Sequence, residues 1–80
     1  MRVRVRFVGG LRDRFQTEFE FVAIEFASPT VAALRETLAN RGGPWAVLVD
    51  PSYRAAVNYS HSRPGNVLCE GDEVTFFPPV

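Results

Sequence analysis

Few residues in this chain could do chemistry by themselves, and each narrows the choice. Cys69 is the only thiol. One cysteine excludes an internal disulfide framework, a cysteine-based zinc site and a cysteine-ligated iron–sulfur cluster. Beside the Glu70-Gly71-Asp72 turn, Cys69 reads as a small packing residue rather than a persulfide carrier. All nine basic residues are arginines, so no lysine can supply a Schiff base or an amine nucleophile. Arg2, Arg4 and Arg6 alternate with apolar residues and form either a solvated sheet face or an anion-binding stripe. Glu70, Asp72 and Glu73 form an acidic cluster that fits docking onto a basic partner or a solvated turn equally well. The remaining candidate is a backbone feature. Gly71-Asp72-Glu73-Val74-Thr75-Phe76-Phe77-Pro78-Pro79-Val80 reads as a tight turn, a strand, and two prolines that end it. Proline has a fixed φ and no N–H, so Pro78 and Pro79 should leave the sheet as a stiff extended arm.

These residues must be positioned by one small domain, residues 1–80, near the lower end of what folds without staples. A composition that is 46% hydrophobic, with seven phenylalanines, supports a core; each buried Phe contributes roughly 1.5–3 kcal/mol before entropy is charged against it. The formal net charge is zero, which gives no nucleic-acid footprint. No run approaches the ~18 apolar residues of a membrane span, and Met1-Arg2-Val3-Arg4 lacks a signal peptide's apolar core. A cytoplasmic protein is expected.

Residues 2–8 alternate as a strand, with Val3, Val5 and Phe7 on one face and Arg2, Arg4, Arg6 and the anomalous Val8 on the other. Gly9-Gly10 breaks it, and Leu11 to Phe15 makes a helical turn or a loop. Residues 18–26 form a second strand whose phase slips: Phe19 and Phe21 share one parity, Val22, Ile24 and Phe26 the other. Either a bulge near Phe21-Val22 gathers all five on one face, or two aromatics sit on the outer face. Thr30 is the expected N-cap of a helix with Val31, Leu34 and Leu38 as its apolar stripe and Gly42-Gly43 as its stop. Pro44 to Leu48 begins a short second helix whose Trp45 and Leu48 plug the core. Residues 54–58 form a short strand, Asn58 to Gly65 a polar turn-rich stretch, and Glu73 onward the last strand beside the first. This order predicts an α+β fold, with one main helix covering one face of a mixed sheet of four to five strands.

At this point the chain resembles the MoaD/ThiS family of small ubiquitin-like sulfur carriers, in its molybdopterin synthase branch. The resemblance runs through Val3 to Leu11, Pro29-Thr30-Val31 with Leu34-Arg35, Trp45-Ala46, Ala55-Ala56-Val57-Asn58, and Gly71-Asp72-Glu73-Val74 with Phe76-Phe77-Pro78-Pro79-Val80. The terminal stretch is the specific part. The resemblance implies a β-grasp fold with parallel, adjacent first and last strands. It implies a sulfur-carrier subunit of molybdopterin synthase, not catalytic alone, delivering sulfur as a C-terminal thiocarboxylate to a pterin precursor. It implies two partners, the synthase large subunit and an ATP-dependent activating enzyme that adenylates the terminal glycine, with no cofactor or metal bound by the carrier itself. Nucleic acid and membrane are not expected as partners.

The family's two terminal glycines would lie just past Val80, where this sequence stops, so no catalytic residue is carried onto any position here. The expected partner interface is Val8, His61, Phe77, Pro78, Pro79 and Val80. The family usually has an apolar residue at the position of His61; a solvated loop histidine is the plainer reading. Two alternatives remain open: a carrier for thiamin or tRNA thiolation, and a β-grasp binding module with no carrier chemistry.

Overall fold

The first strand and the last lie side by side and parallel in the middle of the sheet, although they are the two most distant elements in the chain. The structure, a computed structural model, describes every residue but Phe26, Ser28 and Val80. Its elements are β1 (Arg2–Phe7), α1 (Gly10–Phe15), β2 (Phe19–Ala23), α2 (Val31–Ala39), a 3-10 helix (Gly43–Val49), β3 (Arg54–Val57), β4 (Ser60–His61) and β5 (Glu73–Phe77). The sheet order is β2-β1-β5-β3-β4. β1 and β5 are parallel, and every other pair is antiparallel.

The alternation of β1 becomes two faces. Val3, Val5 and Phe7 join Val74 and Phe76 of β5 in the core under α2. Val31, Leu34 and Leu38 bury their helical stripe against it, and Leu48 of the 3-10 helix is fully buried. Trp45 only partly enters; it stacks on Phe15 (centroids 4.0 Å apart, 6° between planes), and both rings stand edge-on to Phe7. The arginine Arg41 covers this aromatic group from outside, 4.5 Å from the Trp45 centroid. α1 is a complete short helix rather than a loop, held by buried Leu11 and Phe15.

α2 starts where its sequence says. The Thr30 hydroxyl accepts the Ala33 N–H at 3.1 Å, satisfying one of the orphan donors of the first turn. Thr30→Ala is expected to lower stability by about 1 kcal/mol, read from the urea midpoint at unchanged slope.

The 3-10 helix ends at Asp50, whose carboxylate accepts the Ser52 N–H at 2.9 Å and the Ser52 hydroxyl at 2.8 Å. The two bonds, the backbone one foremost, hold this carboxyl below its usual range, with a smaller pull from Arg35. A depressed folded pKa stabilises the fold above the unfolded value, and that contribution fades as pH falls through the folded one. Ser52→Ala removes one donor, so Asp50 should titrate at higher pH than in the parent when followed by carboxyl carbon NMR.

The structure settles one alternative left open by the sequence and corrects other expectations. β2 carries no bulge: its register with β1 is continuous from Arg2 opposite Ala23 to Arg6 opposite Phe19. Phe19 and Phe21 therefore sit on the outer face, 40% and 56% exposed, while Val22 and Ile24 are buried; Phe26 lies outside the described residues. They are tolerated there because Arg4 lies 4.2 Å over the Phe19 ring and Arg2 4.8 Å over Phe21, a cation–π arrangement. Strand β3 stops at Val57, and the stretch read as loop contains β4. Asn58 and Tyr59 join the two strands, both at positive φ (49° and 70°), as a two-residue hairpin turn requires. Cys69 is exposed, not packed.

Candidate functional site

The arm leaves from the C-terminal end of β5, and the outer sheet face around that exit is ordered by rows running across the strands. One row, from β1 to β4, is Arg6, Thr75, Ala56 and His61, each opposite the next. The neighbouring row sets Phe77 opposite Arg54, with Val8 next to Phe77 on the parallel side, where the Val8 N–H reaches the Phe76 carbonyl at 3.4 Å. Thr75 and Ala56 are small and buried. Between larger neighbours they leave a hollow of about 290 Å³, lined by Arg6, Val8, Ala56, Tyr59, His61, Thr75 and Phe77.

Three of the interface residues expected from sequence, Val8, His61 and Phe77, thus line one depression. Val8 and Phe77 are half-buried and His61 is exposed. Histidine there presents an apolar ring edge with a polar tip. The arm begins beside it. Pro78 is half-buried and Pro79 exposed, and Val80 lies outside the described residues. Gly9, at φ +58°, sits against Pro78: a Cβ on it would stand 3.4 Å from Pro78 Cγ. A glycine lets the end of β1 turn closely beneath the start of the arm.

Sequence reasoning missed the floor and one wall. Thr75 and Ala56 matter by being small, which no local pattern announces. Tyr59, 84% exposed, hangs over the hollow from the β3–β4 turn. An asparagine followed by an aromatic lacks the glycine of the usual hairpin signal; the tolerance of Asn58 for positive φ was the one available hint.

The charged groups are largely occupied within the fold. Glu73, on the outer face, stands 3.7 Å from the Nε of both Arg4 and Arg6. Arg4 and Arg6 are therefore half-buried beside a carboxylate rather than freely solvated, while Arg2 is exposed. Glu70 accepts the Arg2 N–H at 3.0 Å. Asp72 accepts from the Asn58 amide and the Cys69 N–H at 2.9 and 2.8 Å. The acidic cluster builds the turn into β5.

A larger cavity, of about 570 Å³, opens between α2 and the β3–β4 edge, and no arm residue lines it. Among the described residues no three His, Cys, Asp or Glu side chains stand together as metal ligands, and no helix is long and apolar enough to cross a membrane.

The chain is similar to known proteins over nearly its whole length. The ThiS family model matches residues 5–80. The chain is 40% identical over 79 residues to the protein named molybdopterin synthase sulfur carrier subunit of Escherichia coli (strain K12), covering 98% of this chain and 95% of that one. Small archaeal modifier protein 1 of Haloferax volcanii shares the fold with a TM-score of 0.78 at 17% identity, covering 99% of this chain and 98% of the other. A chain from the complex of subunits 1 and 2 of the molybdopterin-converting factor of Helicobacter pylori superposes with a TM-score of 0.69 at 23% identity, covering 100% of this chain and 96% of that one.

Proposed function

This chain belongs to the ThiS family, and from that premise we propose that it is the sulfur-carrier subunit of a molybdopterin synthase. The observation that carries the reading is the stiff Pro78-Pro79 arm leaving the central strand β5 beside the hollow of Val8, His61 and Phe77. The similarity to the E. coli subunit over nearly the whole chain supports it, and the assembly in the H. pylori structure supports a large subunit as the partner.

The physical division of labour follows from the fold. β5 is hydrogen-bonded on both sides, to β1 and β3, so the point where the arm departs is fixed. The prolines reduce the conformational freedom lost when the arm is ordered inside a partner. The hollow receives an apolar side chain of the large subunit and sets the direction in which the arm enters it. Sulfur would ride on a terminal glycine carboxylate beyond Val80. Adenylation by an activating enzyme, using ATP bound there, gives that carboxylate a leaving group; sulfide displacement of AMP then leaves a thiocarboxylate. Each step takes place on the arm while the folded domain serves as the handle that both partners grip. A cytoplasmic setting, where the nucleotide is available, accords with this chemistry.

The test is intact-mass analysis of the natural polypeptide after incubation with the activating enzyme, ATP and a sulfur donor. A gain equal to exchanging one oxygen for sulfur is expected, followed by its loss on adding the large subunit and pterin precursor. A natural chain without a glycine terminus, or one that is never adenylated, would end the carrier reading. Complementation of strains deficient in molybdopterin, thiamin thiazole or tRNA thiolation separates the pathways; rescue of the first alone is expected.

A further inference from the structure

The edge of the sheet opposite β4 carries a second surface, independent of the carrier reading. β2 pairs with β1 on one side, and no described strand lies on its other side. Its hydrogen-bond phase follows from the register. The Ile24 N–H reaches the Met1 carbonyl at 2.7 Å and the Phe7 N–H reaches the Glu18 carbonyl at 2.8 Å, with Val22 opposite Val3 and Glu20 opposite Val5 between them. In an antiparallel ladder the residues that exchange bonds alternate. The even-numbered residues of β2 therefore face β1, and Phe19, Phe21 and Ala23 turn their N–H and C=O groups to the open edge. The Phe19 carbonyl also accepts the Thr17 hydroxyl at 3.0 Å, which leaves it a second lone pair. The strand has no proline and no bulge, two of the devices that usually blunt an edge. Its outer side chains are the half-exposed rings of Phe19 and Phe21, 6.0 Å apart and edge to face.

We propose that this edge pairs antiparallel with the same edge of a second copy of the chain, with Phe21 opposite Phe21 of the second copy, joining two sheets into one. The pattern is self-complementary. A two-fold axis at Phe21 sets Phe19 opposite Ala23 of the second copy and Ala23 opposite its Phe19, so every outward N–H meets an outward C=O. It gathers four phenylalanine rings on one face. The register centred on Glu20 would instead bring two Glu20 carboxylates directly opposite, which is unfavourable. Centring on Val22 would leave Phe19 facing Glu25. In the favoured register Glu20 faces Val22, and its charge is already met by a bidentate contact from Arg41 at 2.8 Å. The arginines of β1 reach over the β2 rings, Arg4 4.2 Å from Phe19 and Arg2 4.8 Å from Phe21, so the pairing brings guanidinium groups of both copies onto one exposed face, where their repulsion is screened by salt. A five-residue edge sits at the small end of interface sizes, so the dimer forms and dissociates with concentration. The hollow and the arm lie on β1, β5, β3 and β4 and stay free.

Amide hydrogen exchange and sedimentation on the full chain, from micromolar to millimolar concentration, test this. The expected result is a monomer–dimer equilibrium in which the Phe21 and Ala23 amides, exchanging freely in the monomer, gain protection in proportion to the dimer fraction. Phe21→Glu should abolish both the dimer and that protection, while the Val22 and Val3 amides stay protected. A chain that remains monomeric at millimolar concentration, a dimer whose new protection lies elsewhere, or a Phe21→Glu variant that still dimerises would each overturn the proposal.

Discussion

Phe76→Ala is expected to destabilise the domain by about 3–5 kcal/mol, the range for removing a large aromatic from a core that cannot collapse around the gap. Phe76 is fully buried. It lies on the central strand between β1 and β3, nearly parallel to the Phe7 ring at 6.4 Å, with the Arg35 guanidinium 5.4 Å from its centroid. Arg35 is itself tied to the Leu48 carbonyl at 3.0 Å, and burial pushes its pKa down. Loss of the ring would open a void bounded by two strands and a helix, elements whose hydrogen bonds hold them apart. For a domain with a total stability of roughly 5–15 kcal/mol, that is a large share. Urea denaturation followed by tryptophan fluorescence gives the value directly, and a loss below about 1 kcal/mol would show that the core closes around the missing Phe76 ring.

Phe77→Ala, one residue along, should behave in the opposite way. Its side chain is on the outer face, half-buried at the wall of the hollow with Val8. Truncation removes an apolar wall that a partner would cover, and aromatic anchors of that kind dominate interface energetics. Affinity for the large subunit is expected to fall about 10- to 100-fold, or roughly 1.4–2.8 kcal/mol, with the urea midpoint changed by less than about 1 kcal/mol. Isothermal titration calorimetry with the purified large subunit measures the first, and the denaturation curve the second. Unchanged affinity would remove Phe77 from the interface; a collapsed fold would make it core.

The contrast between these neighbours was legible in the chain itself, because successive residues of a strand face opposite ways. So were the core faces of β1 and β5, the N-cap at Thr30 and the prolines that end β5, since each depends on residues within a few positions of one another. β2 was not legible to the same degree. Its slip of phase fitted either a bulge or two exposed rings, and the choice depended on Arg2 and Arg4 of a different strand, which stack on those rings. Cys69 was misjudged for a related reason. Its small apolar character suggested packing, but its N–H is held in the Asp72 turn, which leaves the thiol outside. β4 escaped because two residues carry no periodicity.

What the sequence by itself determined is therefore the set of pieces: two apolar-faced strands, a capped helix, a short aromatic-bearing helix beginning at Pro44, and an arm that must leave the sheet at Pro78. Those follow from local sterics and from periods of 2 and 3.6, which any short window contains. Only the tertiary structure decided that Val8, Phe77 and His61 surround one hollow floored by Thr75 and Ala56. Those five residues come from four segments, and they meet because the parallel β1–β5 pairing and the two antiparallel pairings beyond it set which rows align. Register across strands is fixed by the burial of the opposite face, a property of the whole core that no single stretch of sequence carries.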